Sequence, residues 1–241
     1  MSLDLPPNAT PEREQAILDY VRAGSYEAPW AIITSDIEGH HGEFQVFMDA
    51  LKIEGVRVNV TAETEQLIAD ALGCTLLTPK LADLIWVQRD CTIKPFPRPI
   101  TSSTQGMIDH STAIDKALAK LTAQPTLIAT TGKHWVIDND MLAHPGMAEN
   151  YGWHYQGQDW IGGHEYAVTK DPAGQLITMI QGRGWRHNKG HVDYSQVCVL
   201  ASRACTIDGT SMDLLDVMGD PALAALVSHN GVMKVLRQPG V

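Results

Sequence analysis

The spacing of apolar positions divides the chain into two textures. In the first half the spacing is mostly helical. Thr10-Pro11-Glu12 supplies a cap, a proline at the first helical position and an acid at the positive end of the helix dipole. Ala16, Ile17, Tyr20 and Val21 follow at helical intervals, and Gly24 stops the run. Thr61 caps a helix to Leu72, with Glu63 and Glu65 in its first turn and Gly73 at its end. Thr78-Pro79 opens another, PKLADLIWVQR, with Leu81, Leu84 and Ile85 on one face. A further helix, about 107–122, carries Ile108, Ile114, Leu118 and Leu121. Between these runs, APWAIITS (28–35) reads as a strand. FQVFMDAL (44–51) alternates at Phe44, Val46 and Met48 and fits strand or helix. KPFPRP (94–99) has three prolines, which remove donors and fix φ, so it reads as an ordered crossing loop.

From Pro125 the pattern changes to short apolar runs between glycine-rich turns: TLIATTG, HWVID, YGWH, LITMIQG and QVCVLAS. These are strand signals. Asp220-Pro221 predicts a return to helix, stopped at Gly231. The expected fold is α+β, a helical N-terminal half packed on a mostly antiparallel sheet formed by the C-terminal half. The expected regions are 1–100 and 101–241, or a single domain, with any boundary near 95–105.

Composition narrows the function classes. The 241 residues are 44% hydrophobic and 19% charged, ordinary for a soluble globular protein. A net charge of -10 argues against nucleic acid as a partner, which calls for a basic face. No apolar run is long enough for a membrane span. The opening MSLDLPPNATPEREQ lacks the apolar region of a signal peptide, which reads as cytoplasmic by default, with export of a longer precursor left open. Cys74, Cys91, Cys198 and Cys205 form no C-x-x-C pair and read as buried thiols.

The titratable and aromatic residues concentrate in the strand-rich half. Six of the ten histidines lie between 134 and 191, and four of the six tryptophans and four of the six tyrosines lie there or just beyond. Histidine serves near neutral pH as acid, base or metal ligand. The densest stretch is RHNKGHVDYSQ, 186–196. On a strand, His191, Asp193 and Ser195 would share one face and Val192 and Tyr194 the other. The turn Asn188-Lys189-Gly190 could fold His187 back over that face. Two imidazoles and a carboxylate are a common zinc set with a position open for water. The alternative is a polar hairpin with hydrogen-bonded histidines. Trp153 reads as core or pocket wall, and His154, at a strand end, is placed to reach a site. His134 begins a strand and is similar. His40-His41 reads as a solvated turn, His110 as a helix residue lining the sheet, and His144, His164 and His229 as surface residues. No G-x-S-x-G elbow and no phosphate-binding glycine loop occurs.

Several segments taken together resemble a bacterial family of mostly exported proteins with some phage-like relatives and no settled activity. They are IADALGCTLLTPKLADLIW (68–86), Ile108–Leu118 with His110, GKHWVI (132–137), YGWH (151–154), and His187 followed six positions later by DYS (193–195). That family places a histidine directly after the glycine of GKHW, where this chain has Lys133, and reads DYSHG where this chain has DYSQV. HNKGHVD is also faintly similar to the H-x-x-G-x-A-x-D run of zinc D-Ala-D-Ala peptidases, one residue short, and Trp153-His154 resembles their W-H pair. The chemistry this similarity implies is two histidines and one aspartate holding zinc.

The leading expectation is a hydrolase of the amidase or peptidase type acting on a cell-wall peptide or glycopeptide. His154, His187 and Asp193 form its centre, as zinc ligands or as a metal-free acid/base set. His191 or His134 acts as base or orients the oxyanion. Tyr151, Trp153, Trp185 and Tyr194 wall the cleft, with Ser195 beside them. The rival is a non-catalytic glycan- or peptide-binding module, such as a phage or cell-envelope structural component. A third reading makes Ser195 the nucleophile of an acyl hydrolase.

Overall fold

The computed structural model describes residues 3–121, 125–129, 131–155, 167–170 and 176–241, with backbone alone at 92, 167–170, 176 and 177. The helices are α1 (Pro11–Arg22), α2 (Ala62–Leu72), α3 (Pro79–Gln88), α4 (Thr104–Leu118) and the short α5 (Leu214–Gly219). The side chains of Thr10, Thr61, Thr78 and Ser103 accept from the backbone N–H groups of Arg13, Thr64, Leu81 and Gly106. These bonds satisfy orphan donors of the first turns. Ser103 starts α4 three residues earlier than the apolar spacing predicts. Gly73 ends α2 in the left-handed conformation. The helix expected after Asp220-Pro221 does not form. The Asp220 carboxylate turns onto the N–H groups of Ala222 and Leu223. Only a 3-10 turn, Ala224–Leu226, follows, and the helical run lies ahead of it as α5.

The strands are β1 (Trp30–Ile37), β2 (His40–Phe47), β3 (Lys52–Ile53), β4 (Val56–Arg57), β5 (Cys74–Leu76), β6 (Cys91–Thr92), β7 (Ile128–Ala129), β8 (Lys133–Val136), β9 (Met147–His154), β10 (Ala167–Lys170), β11 (Leu176–Asn188), β12 (Leu200–Ile207) and β13 (Thr210–Asp213). The protein is α+β. One sheet runs β1-β2-β12-β13 with β5 also on β12, and a second runs β10-β11-β9-β8. All pairings in both are antiparallel. The first sheet joins strands from both ends of the chain. Phe44 and Val46 of β2 are fully buried while Glu43 and Gln45 are exposed, so the ambiguous run is a strand through Phe47. His40 and His41 open that strand instead of forming a turn. His40 Nδ1 meets Asp208 Oδ2 at 2.7 Å, and His41 Nδ1 meets Asp36 Oδ1 at 2.8 Å.

The second sheet carries the candidate chemistry, and its contacts with the N-terminal part include these. Trp135 of β8 is fully buried and its indole N–H donates to the Val60 carbonyl at 2.9 Å. Helix α3 lies against β9. All four cysteines are free; Cys74, Cys198 and Cys205 are buried and Cys91 half-buried.

Candidate functional site

Two consecutive left-handed residues near the end of β9 decide which side chains meet. Gly152 has φ 102° and Trp153 has φ 55°. In a regular strand Tyr151 and His154 would face opposite ways. Here both reach the same carboxylate on α3. Asn150 and Trp153, also three apart, both line a cavity elsewhere. A positive φ is strained for a bulky residue such as tryptophan, and strain of this kind collects at functional sites.

The α3 carboxylate is Asp83. Its Oδ1 accepts from Tyr151 Oη at 2.8 Å and meets His154 Nε2 at 2.7 Å, and its Oδ2 meets His229 Nε2 at 2.8 Å. Trp86, one turn along α3, stacks on the His154 ring with centroids 5.8 Å apart. Burial would raise the Asp83 carboxyl. The bonds from His154, His229 and Tyr151 outweigh it and hold the group below the usual carboxylate range. His134, on the neighbouring strand, is buried close to His154. Desolvation, with His154 beside it, pushes its imidazole down to about 3, so it stays neutral.

The second cluster surrounds a cavity of about 720 Å³. Its lining takes in Lys133, Trp153, His187, His191, Asp193 and Tyr194. The Asn188-Lys189-Gly190 turn is closed by bonds from Gly190 N to Asn188 Oδ1 (3.0 Å) and from His191 N to the Asn188 carbonyl (3.1 Å). It folds His187 back over His191, and the rings stack with centroids 3.8 Å apart and planes 6° apart. Burial lowers both imidazoles, helped at His187 by Lys133 and at His191 by His187. The chain from His191 to Asp193 is irregular and Tyr194 and Ser195 form a turn, so the expected strand is not there. Asp193 and Ser195 meet nonetheless, because the Asp193 Oδ1 accepts from both Ser195 N (2.8 Å) and Ser195 Oγ (2.6 Å). Lys133 Nζ lies 2.8 Å from Asp193 Oδ2. Burial would raise Asp193, yet Lys133 and Ser195 keep it below its ordinary value. Tyr194 Oη accepts the Arg98 backbone N–H at 2.7 Å, and His110 packs edge-on to Tyr194 and Trp153.

The residues expected from sequence are thus divided. His187, His191, Asp193, Ser195, Trp153 and Tyr194 border the cavity. His154, His134 and Tyr151 belong to the Asp83 cluster. Trp185 stacks on His144 at 4.5 Å. The trio His154, His187 and Asp193 is split, with His154 on Asp83 in the core and His187 and Asp193 at the cavity, so it does not form one zinc set. Face-to-face rings at His187 and His191 set their nitrogens in parallel planes instead of converging them on one point. Among the described residues, no group of three histidine, cysteine or acidic side chains could hold a metal ion. His229, expected as a surface residue, is half exposed yet bound to Asp83; His164 lies outside the described residues.

Sequence reasoning missed Asp83, and it set Lys133 aside for displacing a family histidine. Asp83 stands three residues before Trp86, which is helical spacing for one shared face, and that spacing was the available signal. Lys133 alternates with His134 on β8 and must face the other way. Comparison of the chain with protein-family models, with curated proteins and with solved structures gave no match in any of the three.

Proposed function

We propose that the protein is a hydrolase of the amidase or peptidase type, acting on a cell-wall peptide or glycopeptide in the cavity beside His187, His191 and Asp193. The observation that carries this reading is the stacked imidazole pair next to a lysine-paired carboxylate on a wall of the cavity. Lowered imidazoles are neutral at neutral pH, so one ring can accept a proton from water attacking an amide carbonyl. The second ring, 3.8 Å away, disfavours a second charge in the stack. Lys133 has N–H donors beyond the one given to Asp193, and these suit a developing oxyanion. This is the metal-free alternative, and no step in it needs zinc.

The aromatic side chains favour the enzyme over a binding module. Sugar-stacking platforms need exposed rings, whereas Tyr151, Trp153 and Tyr194 are 4%, 3% and 5% exposed. Ser195 offers a second reading, because its hydroxyl already donates to a carboxylate at 2.6 Å. The test is digestion of purified muropeptides by the protein, with metal content measured on a sample prepared without chelators. Serine-directed probes are applied in parallel. Release of peptide with Ser195 unlabelled supports the imidazole-base reading. Covalent labelling of Ser195 moves the chemistry to the hydroxyl. Tight muropeptide binding with no cleavage makes the protein a binding module.

A further inference from the structure

The cavity concentrates positive charge in an acidic protein. Arg98, Lys133, Arg183 and Arg186 are four of its 17 lining residues, against 18 Lys and Arg in 241 for the whole chain. Asp193 is the one acid in the lining. The carboxylates that pair with two of the guanidiniums are not part of the lining. Arg98 Nη2 meets Asp109 at 2.8 Å. Arg183 meets Glu149 through Nε at 2.6 Å and Asp138 through Nη2 at 2.6 Å. A guanidinium has five N–H donors, so such bonds orient it without exhausting it. Arg186 is exposed and forms no ion pair among the described residues. Asn150 lines the cavity as well, and its buried Nδ2 has no acceptor among the described residues. A wall so rich in oriented donors, with its single carboxylate already paired, lacks only an acceptor.

We propose that this cavity seats an oxyanion of its ligand, a carboxylate or a phosphoryl group, on Arg98, Arg186 and Lys133, next to the His187–His191 stack. The inference rests on the cavity being the substrate site, and it adds that the substrate is anionic there. Bidentate guanidinium contacts suit either group, and a neutral amide at the same place would leave the donors half-satisfied.

Calorimetric titration of the full chain tests this without any turnover. The probes are N-acetyl-D-alanyl-D-alanine, its C-terminal amide and inorganic phosphate. The expected result is that the free acid or phosphate binds and the amide binds at least about tenfold more weakly, with R98A and R186A each weakening the anion by roughly three- to tenfold. Preference for the acid assigns a carboxylate, and preference for phosphate assigns a phosphoryl group. Equal binding of acid and amide, with phosphate no tighter than either, overturns the proposal. So does indifference to both arginine substitutions, and so does the absence of binding by any probe. Anion binding without muropeptide cleavage leaves the anion site standing and removes the hydrolase. Cleavage with no preference for charge does the reverse.

Discussion

His154 meets Asp83 through Nε2 and Oδ1 at 2.7 Å, inside the core, with Trp86 stacked on its ring. That contact takes His154 out of the cavity and gives it a structural task, holding β9 against α3. Its partners then differ in value. Asp83→Asn removes the negative charge and replaces one of the two oxygens that serve two imidazoles and a phenol with a donor, and is expected to cost about 2–3 kcal/mol. His229→Ala removes a ring 43% exposed and is expected to cost less than about 1 kcal/mol. Urea unfolding at neutral pH measures both. Because the Asp83 carboxyl is depressed in the fold, its contribution is present above the unfolded value near about 3.9 and is lost as pH falls through the folded one. Asp83→Asn should therefore flatten the acid limb of the stability curve.

Gly152 carries the switch that divides the two clusters. At φ 102° an added Cβ is strained, and it would stand 3.1 Å from His134 Cδ2. Gly152→Ala is expected to lose about 1–3 kcal/mol of stability in the same urea assay.

Glu65 predicts a pH dependence of the opposite sign. It is fully buried in α2, and burial, only partly offset by the Val199 N–H, holds its carboxyl well above the ordinary value. The folded state binds that proton more tightly than the unfolded chain. Its contribution is whole below the unfolded value near about 4.3 and declines, by up to about 1.4 kcal/mol per pH unit, as pH rises through the folded value. Glu65→Gln stays neutral throughout. Unfolding free energies at pH 5 and pH 8 should fall further in the wild type than in the variant.

What the sequence made legible was local. Thr10, Thr61 and Thr78 announce their helices because a cap bond spans three residues and needs nothing beyond them. The His187–His191 pairing was readable for the same reason, through one short turn. Strand parity was not readable where backbone handedness changes. Nothing in YGWH marks Trp153 as left-handed, so the sequence gives no sign that Tyr151 and His154 reach one carboxylate. Asp83 lies 71 positions from His154 in sequence, and only the packing of α3 on β9 joins them. Asp220-Pro221 read as a helix start, yet the same carboxylate closes a turn equally well.

The proposed hydrolysis at the cavity falls to the imidazole pair and Asp193. The most direct measurement is the initial rate of peptide release from muropeptides by wild type, His187→Ala, His191→Ala and Asp193→Asn, with circular dichroism to confirm folding and His229→Ala as a control outside the cavity. The wild type is expected to cleave, and His229→Ala to remain close to it. At least one imidazole variant, and Asp193→Asn, should fall by about 100-fold or more. Wild-type rates in all three cavity variants, or no release by the wild-type protein itself, would contradict this assignment.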